Sequence, residues 1–140
     1  MFTLSADPIE PAALALSLKH SGAGAVVSFE GCVRDHNGGR AVASLEYEAC
    51  AELALKEGNR ILREARKQFN VLSVRCVHRA GHLQLQDTAV WVGVSAVHRA
   101  AAFACCCYII EEIKKELPIW KKEHYADGEA EWLRPGPPGA

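Results

Sequence analysis

At 140 residues and 49% apolar content, the chain can bury one compact core but is short for two domains. Sixteen basic residues stand against 17 acidic ones, a formal net charge of -1. That balance excludes a global pull toward nucleic acid or an anionic membrane, so any anion must be met by a local cluster. The longest apolar run, residues 100–110, is about half of the roughly 20 residues that span a bilayer. The first residues show no basic stretch leading into an apolar signal core, so a soluble, cytoplasmic protein is the expectation.

Residues 2–6 read as a short strand, and the pattern after Pro8 reads as a helix reaching Lys19. A turn at residues 21–24 leads to a strand over 25–33, with Val27, Phe29 and Gly31 on one face. The polar stretch 35–40 is a glycine-containing loop, and 43–48 returns as a strand with Leu45 and Tyr47 on one side. Residues 50–69 form the first long helix, because Ala54, Gly58, Ile61, Leu62, Ala65 and Phe69 recur at helical spacing opposite a charged face. Residues 71–77 alternate as a strand, residues 79–82 turn the chain, and Asp87-Thr88 turn it again. The near-continuous apolar run 89–97 is of the kind buried on both faces of a sheet.

A second long helix starts at His98-Arg99 and is apolar almost all round through Ile110, which predicts a central position. It stops near Pro118, because the residue before a proline is driven out of the α region. Gly128 punctuates a last short segment ending in Trp132-Leu133. Residues 135–140 read as a flexible tail, which assigns one domain to residues 1–134. Hairpin-like strand pairs mixed with two long helices and one short helix predict an α+β fold with a mixed or antiparallel sheet.

The six cysteines, at 32, 50, 76 and 105–107, contain no C-x-x-C pair. Consecutive helical residues point about 100° apart, so the run of three cannot converge on one metal. All six are expected to be reduced packing residues. His78 and His82 are four apart, but Gly81 lies between them where a turn is expected, so they lack the helical face of a zinc pair.

Chemistry concentrates in residues 113–123, where Lys114, Lys115, Lys121 and Lys122 surround Pro118 and Trp120. A fold-back at the proline would turn Lys114 and Lys121 toward one pocket, where crowded cations disfavour each other's charge and make a lysine reactive. The alternative is a solvated helix end whose cations suit the negative pole of the dipole. Arg34, His36 and Arg40 flank one loop, offering forked donors for phosphate or carboxylate, or simply a solvated hairpin tip. His98 and Arg99 open the apolar helix, where unpaired N–H groups also favour an anion. Alternatively, His98 caps the helix and Arg99 pairs with a nearby carboxylate.

Taken in order, several pieces resemble the large, catalytic subunit of molybdopterin synthase, the MoaE family. They are Gly24-Ala25-Val26-Val27-Ser28-Phe29-Glu30-Gly31-Cys32-Val33-Arg34-Asp35-His36-Asn37, Leu45-Glu46-Tyr47-Glu48, His78-Arg79-Ala80-Gly81, Val92-Gly93-Val94-Ser95-Ala96-Val97-His98-Arg99 and residues 114–123. The resemblance implies an α+β fold with an α/β-hammerhead element, and a sulfurtransferase that converts cyclic pyranopterin monophosphate to the dithiolene of molybdopterin. The sulfur would come from the C-terminal Gly-Gly thiocarboxylate of a small ubiquitin-like partner, within a heterotetramer built on a homodimer. It further implies that Arg34, His98 and Arg99 hold the substrate phosphate. Lys114 would lie nearest the thiocarboxylate, and Lys121 would act as general acid/base or electrostatic stabiliser. His36 and Arg40 are further candidates for substrate binding, and no metal or other cofactor is expected. A non-catalytic adaptor for a ubiquitin-like tail and a nucleic-acid binder are the competing readings. Glu111, Glu112, Glu116 and Glu123, interleaved with the lysines, oppose the second of these.

Overall fold

The structure is a computed structural model that describes residues 1–133. The boundary assigned at residue 134 and the tail expected over 135–140 lie outside the described residues. In chain order the elements are β1 (Phe2–Ser5), α1 (Pro11–Ser17), β2 (Ala25–Cys32), β3 (His36–Asn37), β4 (Arg40–Ala49), α2 (Ala51–Gln68), β5 (Ser73–Arg79), β6 (Gly81–Gln84), β7 (Thr88–Ala96), α3 (Arg99–Glu116), β8 (Ile119–Tyr125) and β9 (Ala130–Leu133).

The strands form two sheets within one α+β domain. The first has the order β1-β5-β7-β2, with β1 parallel to β5 and the other pairs antiparallel. The second runs β3-β4-β8-β9, and β6 also pairs with β4.

The main core lies between the first sheet and the helices α2 and α3. Val90, Val92, Val94 and Ala96 of β7 meet Ile61, Leu62 and Ala65 of α2 and Ala102, Cys105, Ile109 and Ile113 of α3. The alternate residues of β7 face the other way, where Trp91 is fully buried and Gly93 lies against Leu18, just past α1. Cover on both sides explains why β7 could be read as a continuous apolar run. The expected α2 stripe is observed at Ala54, Gly58, Ile61, Leu62 and Ala65, its buried residues, whereas Phe69 is the half-buried, extended C-cap just beyond the helix. At Gly58 an added Cβ would stand 2.3 Å from the Phe2 ring, so glycine is what lets β1 close onto α2.

Several expectations are corrected. The strand expected at 71–77 runs instead from Ser73 to Arg79, and the turn that follows leads directly into β6. The loop expected at 35–40 is a hairpin, whose two turn residues Gly38 and Gly39 have φ of 56° and 82°. Both values are positive, as the twist of a two-residue hairpin turn requires. α3 is buried on one side only, because it packs on β2, β7 and α2 and among the described residues its other side is left exposed. Ala100, Phe103, Ala104 and Cys107 form an exposed stripe there, with Phe103 62% exposed. Nor are all six cysteines packing residues. Cys76, Cys105 and Cys106 are buried, while Cys32, Cys50 and Cys107 lie on the outer side of β2, at the N-cap of α2 and on the open side of α3. All six are free thiols. Among the described residues no helix is long and apolar enough to cross a membrane.

Candidate active site

The break between α3 and β8 is built as the proline dictates. Leu117 leaves the helix at φ -75°, ψ 139°, and the Cys50 N–H donates to the Pro118 carbonyl at 3.1 Å, fixing the bend against the start of α2. From there β8 runs antiparallel to β4, with Ile119 opposite Ala49 and Lys121 opposite Tyr47. Directly opposed residues of an antiparallel pair share a face. Lys121, Tyr47 and Leu133 therefore point to the same side of the second sheet as Leu45, Glu123 and the buried Leu83. Lys121 is half-buried in this position.

His78 joins the two lysines. Its side chain is buried, and its Nδ1 lies 2.7 Å from the Arg79 carbonyl oxygen. A carbonyl can only accept, so Nδ1 carries the proton and Nε2 keeps its lone pair. Burial pushes the His78 pKa down to about 4; the bond to the Arg79 carbonyl opposes that shift, and the nearby charge of Lys114 adds to it. The His78 ring stands edge-on to Tyr47, with centroids 4.9 Å apart and planes at 84°. Tyr47 in turn has its phenol pushed up to about 12, by burial first and then by the Glu123 carboxylate. Lys114 thus acts on His78, His78 touches Tyr47, and Tyr47 faces Lys121. At neutral pH the two lysines flank a neutral imidazole and a neutral phenol.

Arg34 lies at this end of the molecule. Its loop is held to the turn before β7, since the Val33 N–H donates to the Asp87 carbonyl and the Gln86 N–H to the Val33 carbonyl. It is also held to β8, two residues beyond Lys121. The Asn37 amide donates to both Glu123 oxygens at 3.0 and 3.1 Å, and the Tyr125 hydroxyl donates to one of them at 3.0 Å. Arg34 itself is exposed. The other two candidates of this loop have local partners. His36 meets Asp35 at 2.8 Å, and Arg40 stacks 3.5 Å above the Tyr125 ring while reaching Asp127, Glu129 and Glu131. Arg40 is best understood as a clasp for the β8–β9 hairpin.

His98 and Arg99 lie elsewhere. β2 and β7 are antiparallel over their whole lengths, with Ala25 opposite Ala96 and Cys32 opposite Thr88. The residue that follows β2 and the residues that follow β7 are therefore at opposite ends, about 25 Å apart at ~3.3 Å per residue. Along α3, Arg99 and Lys114 are separated by roughly 22 Å at 1.5 Å per residue. Within one chain the Arg34 loop thus lies toward the end of the molecule that carries Lys114 and Lys121, and His98 and Arg99 lie at the other end. His98 holds the N-cap position with extended backbone and makes no side-chain cap bond, and the first turn of α3 has no acidic residue. Both residues are exposed, and among the described residues Arg99 has no carboxylate partner. The helix start therefore presents two basic side chains together with unpaired N–H groups.

Two shallow depressions, of about 380 and 330 Å³, lie along residues 19–26 and between β1 and α1. Neither is lined by Lys114 or Lys121. Sequence reasoning missed the roles of Tyr47, His78, Asn37 and Glu123. All four stood within stretches it had singled out, but none was given a role in the site.

An α+β domain with a paired-lysine site at a helix–strand break, and a basic helix start at its far end, is the class these observations define. The chain belongs to the family described as MoaE protein, which matches residues 4–116. It is 39% identical over 124 residues to a molybdopterin synthase catalytic subunit of Thermoplasma volcanium, covering 89% of this chain and 90% of that one. It is 44% identical over 109 residues to that of Pyrococcus abyssi, covering 78% and 74%. The crystal structure of molybdopterin synthase from Staphylococcus aureus superposes with a TM-score of 0.88 at 36% identity, covering 94% of this chain and 96% of that one. A protein–protein complex of subunits 1 and 2 of the molybdopterin-converting factor from Helicobacter pylori shares the fold, with a TM-score of 0.76 at 16% identity, covering 95% and 90%.

Proposed function

We propose that this chain is the catalytic subunit of a cytoplasmic molybdopterin synthase. It would transfer sulfur from the C-terminal thiocarboxylate of a small ubiquitin-like partner to cyclic pyranopterin monophosphate, forming the dithiolene. The observation that carries the reading is the chain of neighbours from Lys114, whose charge reaches His78, through the His78–Tyr47 ring contact to Lys121 opposite Tyr47, in a family whose relatives bear that name. Lys114, exposed at the helix end, is placed to receive the partner's anionic tail, whose charge also suits the adjacent cations. Lys121, held by β8, acts at the carbon where sulfur adds, as general acid/base or by stabilising developing negative charge. Arg34, His98 and Arg99 bind the phosphate.

The separation of His98 and Arg99 from the lysines is compatible with this chemistry if two copies share each site. The exposed α3 stripe of Ala100, Phe103, Ala104 and Cys107 supports such a homodimer. In a two-fold dimer the same surface serves both copies, so the start of one α3 can meet the end of the other.

The test supplies purified thiocarboxylated partner and substrate, then assays the dithiolene product. Lys121→Ala should abolish product while the partner still binds. Lys121→Ala and Arg99→Ala chains, each inactive alone, should together recover about a quarter of wild-type activity, because random pairing makes half the dimers mixed and each mixed dimer has one intact site. Turnover by Lys121→Ala would refute the assignment. Partner binding without product by the wild-type chain would show an adaptor instead.

A further inference from the structure

Strand register assembles a second cluster, on the opposite face of the second sheet from Lys121. Glu46 of β4 is directly opposite His82 of β6, and His124 of β8 is opposite Ser44, two residues before Glu46. Opposed residues share a face, and so do residues two apart along a strand. Three adjacent strands thus send Glu46, His82 and His124 to one side. The His124 Nε2 is 3.2 Å from the Glu46 Oε1, and the two imidazole rings are 5.3 Å apart and tilted by 47°. One ligand atom from each residue lies within 4.8 Å of the others.

These distances suit a metal. Zinc bonds of about 2.0–2.1 Å in tetrahedral geometry place neighbouring ligand atoms ~3.3 Å apart. The Glu46–His124 edge is already near that length, and rotation of the exposed His82 ring can close the other two. A hydrogen bond between His124 and Glu46 would account for one edge but not for the second imidazole alongside. Lys122 shares this face, but its ammonium lies 5.5 Å from the centre of the Trp132 ring, drawn to that side. Two imidazole nitrogens and one carboxylate form a donor set for zinc-like first-row ions; magnesium and calcium prefer oxygen throughout.

We infer that Glu46, His82 and His124 form a three-ligand site for a divalent transition-metal ion of the zinc type, with its fourth position open to solvent. The ion would tie β6, β4 and β8 together beneath the strand that carries Lys121. Because the ligands face away from Lys121, the ion stabilises the strand and takes no part in sulfur transfer.

The experiment titrates reduced, metal-stripped protein with Co²⁺ and with Zn²⁺, followed by visible absorption and calorimetry. The expected result is one equivalent bound with a dissociation constant in the micromolar range or tighter, and weak visible bands without an intense near-ultraviolet thiolate band. His82→Ala and His124→Ala should each weaken binding by at least the roughly 10–100-fold that loss of a ligand's supporting partner costs. Glu46→Gln, which keeps an acceptor for His124 but loses the charge, should also bind more weakly, while circular dichroism confirms that it is folded. Zinc should raise the melting temperature of the wild type and not of His82→Ala. Failure of the wild type to bind, a thiolate band, or equal uptake by His82→Ala would each overturn the inference.

Discussion

Acidification should destabilise this protein through one imidazole. His78 titrates near 6.5 in the unfolded chain but is pushed down to about 4 in the fold, chiefly by burial. Between those values the unfolded state binds more protons, so stability rises with pH across the window and is lost as pH falls through it. The full penalty, reached only below about 4, is the 6.5-to-4 difference at 1.36 kcal/mol per pH unit, or ~3 kcal/mol. At pH 5 the imidazole already costs roughly 2 kcal/mol relative to pH 7, which shifts a urea midpoint by about 1 M for a slope of 1–3 kcal/mol/M. Carboxylates titrate in the same range, so the control is His78→Asn. Its amide nitrogen can still donate to the Arg79 carbonyl but does not titrate. The variant is expected to be less stable at pH 7, because it is smaller in a buried position, yet its urea midpoint should fall less between pH 7 and 5. Two parallel curves would refute the argument and would mean that the imidazole is solvated or paired in a way its buried geometry does not convey.

The other predictions follow from single contacts. Gly58→Ala would gain helix propensity of ~1 kcal/mol but place a Cβ 2.3 Å from the Phe2 ring, and the clash should prevail with a net loss of about 1–2 kcal/mol in chemical denaturation. Glu123→Ala strips the acceptor from the Asn37 amide and leaves the Tyr125 hydroxyl to Glu131, and should cost roughly 1–3 kcal/mol while loosening the Arg34 loop, measurable as faster amide exchange over residues 34–39. Phe103→Asp, on the open side of α3, should leave the circular dichroism unchanged but shift sedimentation toward monomer and abolish product formation.

What could be read in the sequence was local. The α2 stripe and the doubly buried β7 show themselves through spacing and composition, and Pro118 marks the bend between Lys114 and Lys121. β6 did not show itself, since Gly81–Gln84 offers only Leu83 as a buried residue and is a strand because β4 pairs with it. With β6 unseen, the meeting of His82 with His124 was invisible too. Tyr47 and His78 became neighbours through contacts between sheets, which no spacing along the chain reveals. Arg34, His98 and Arg99 stood out as anion-binding candidates by residue type and place in the chain and were joined into one site by resemblance, and neither kind of reading carries distances.

That separation also explains the helix between the two clusters. α3 has 18 residues, a length of about 27 Å, with basic residues in its last turn and His98-Arg99 at its start. A helix serving only its own core needs one apolar side, yet α3 also presents Phe103 and three small side chains to the outside. If two such helices pack antiparallel through that stripe, each N-terminus falls beside the other's C-terminus, and the ~22 Å between Arg99 and Lys114 within a chain becomes a short gap between chains. The same low-polarity surface that weakens the reading of α3 as a fully buried helix is then what completes the site. A phosphate held by one copy's helix start would lie near the lysines of the other, and product formation would fall with dimer dissociation even where every catalytic side chain is intact.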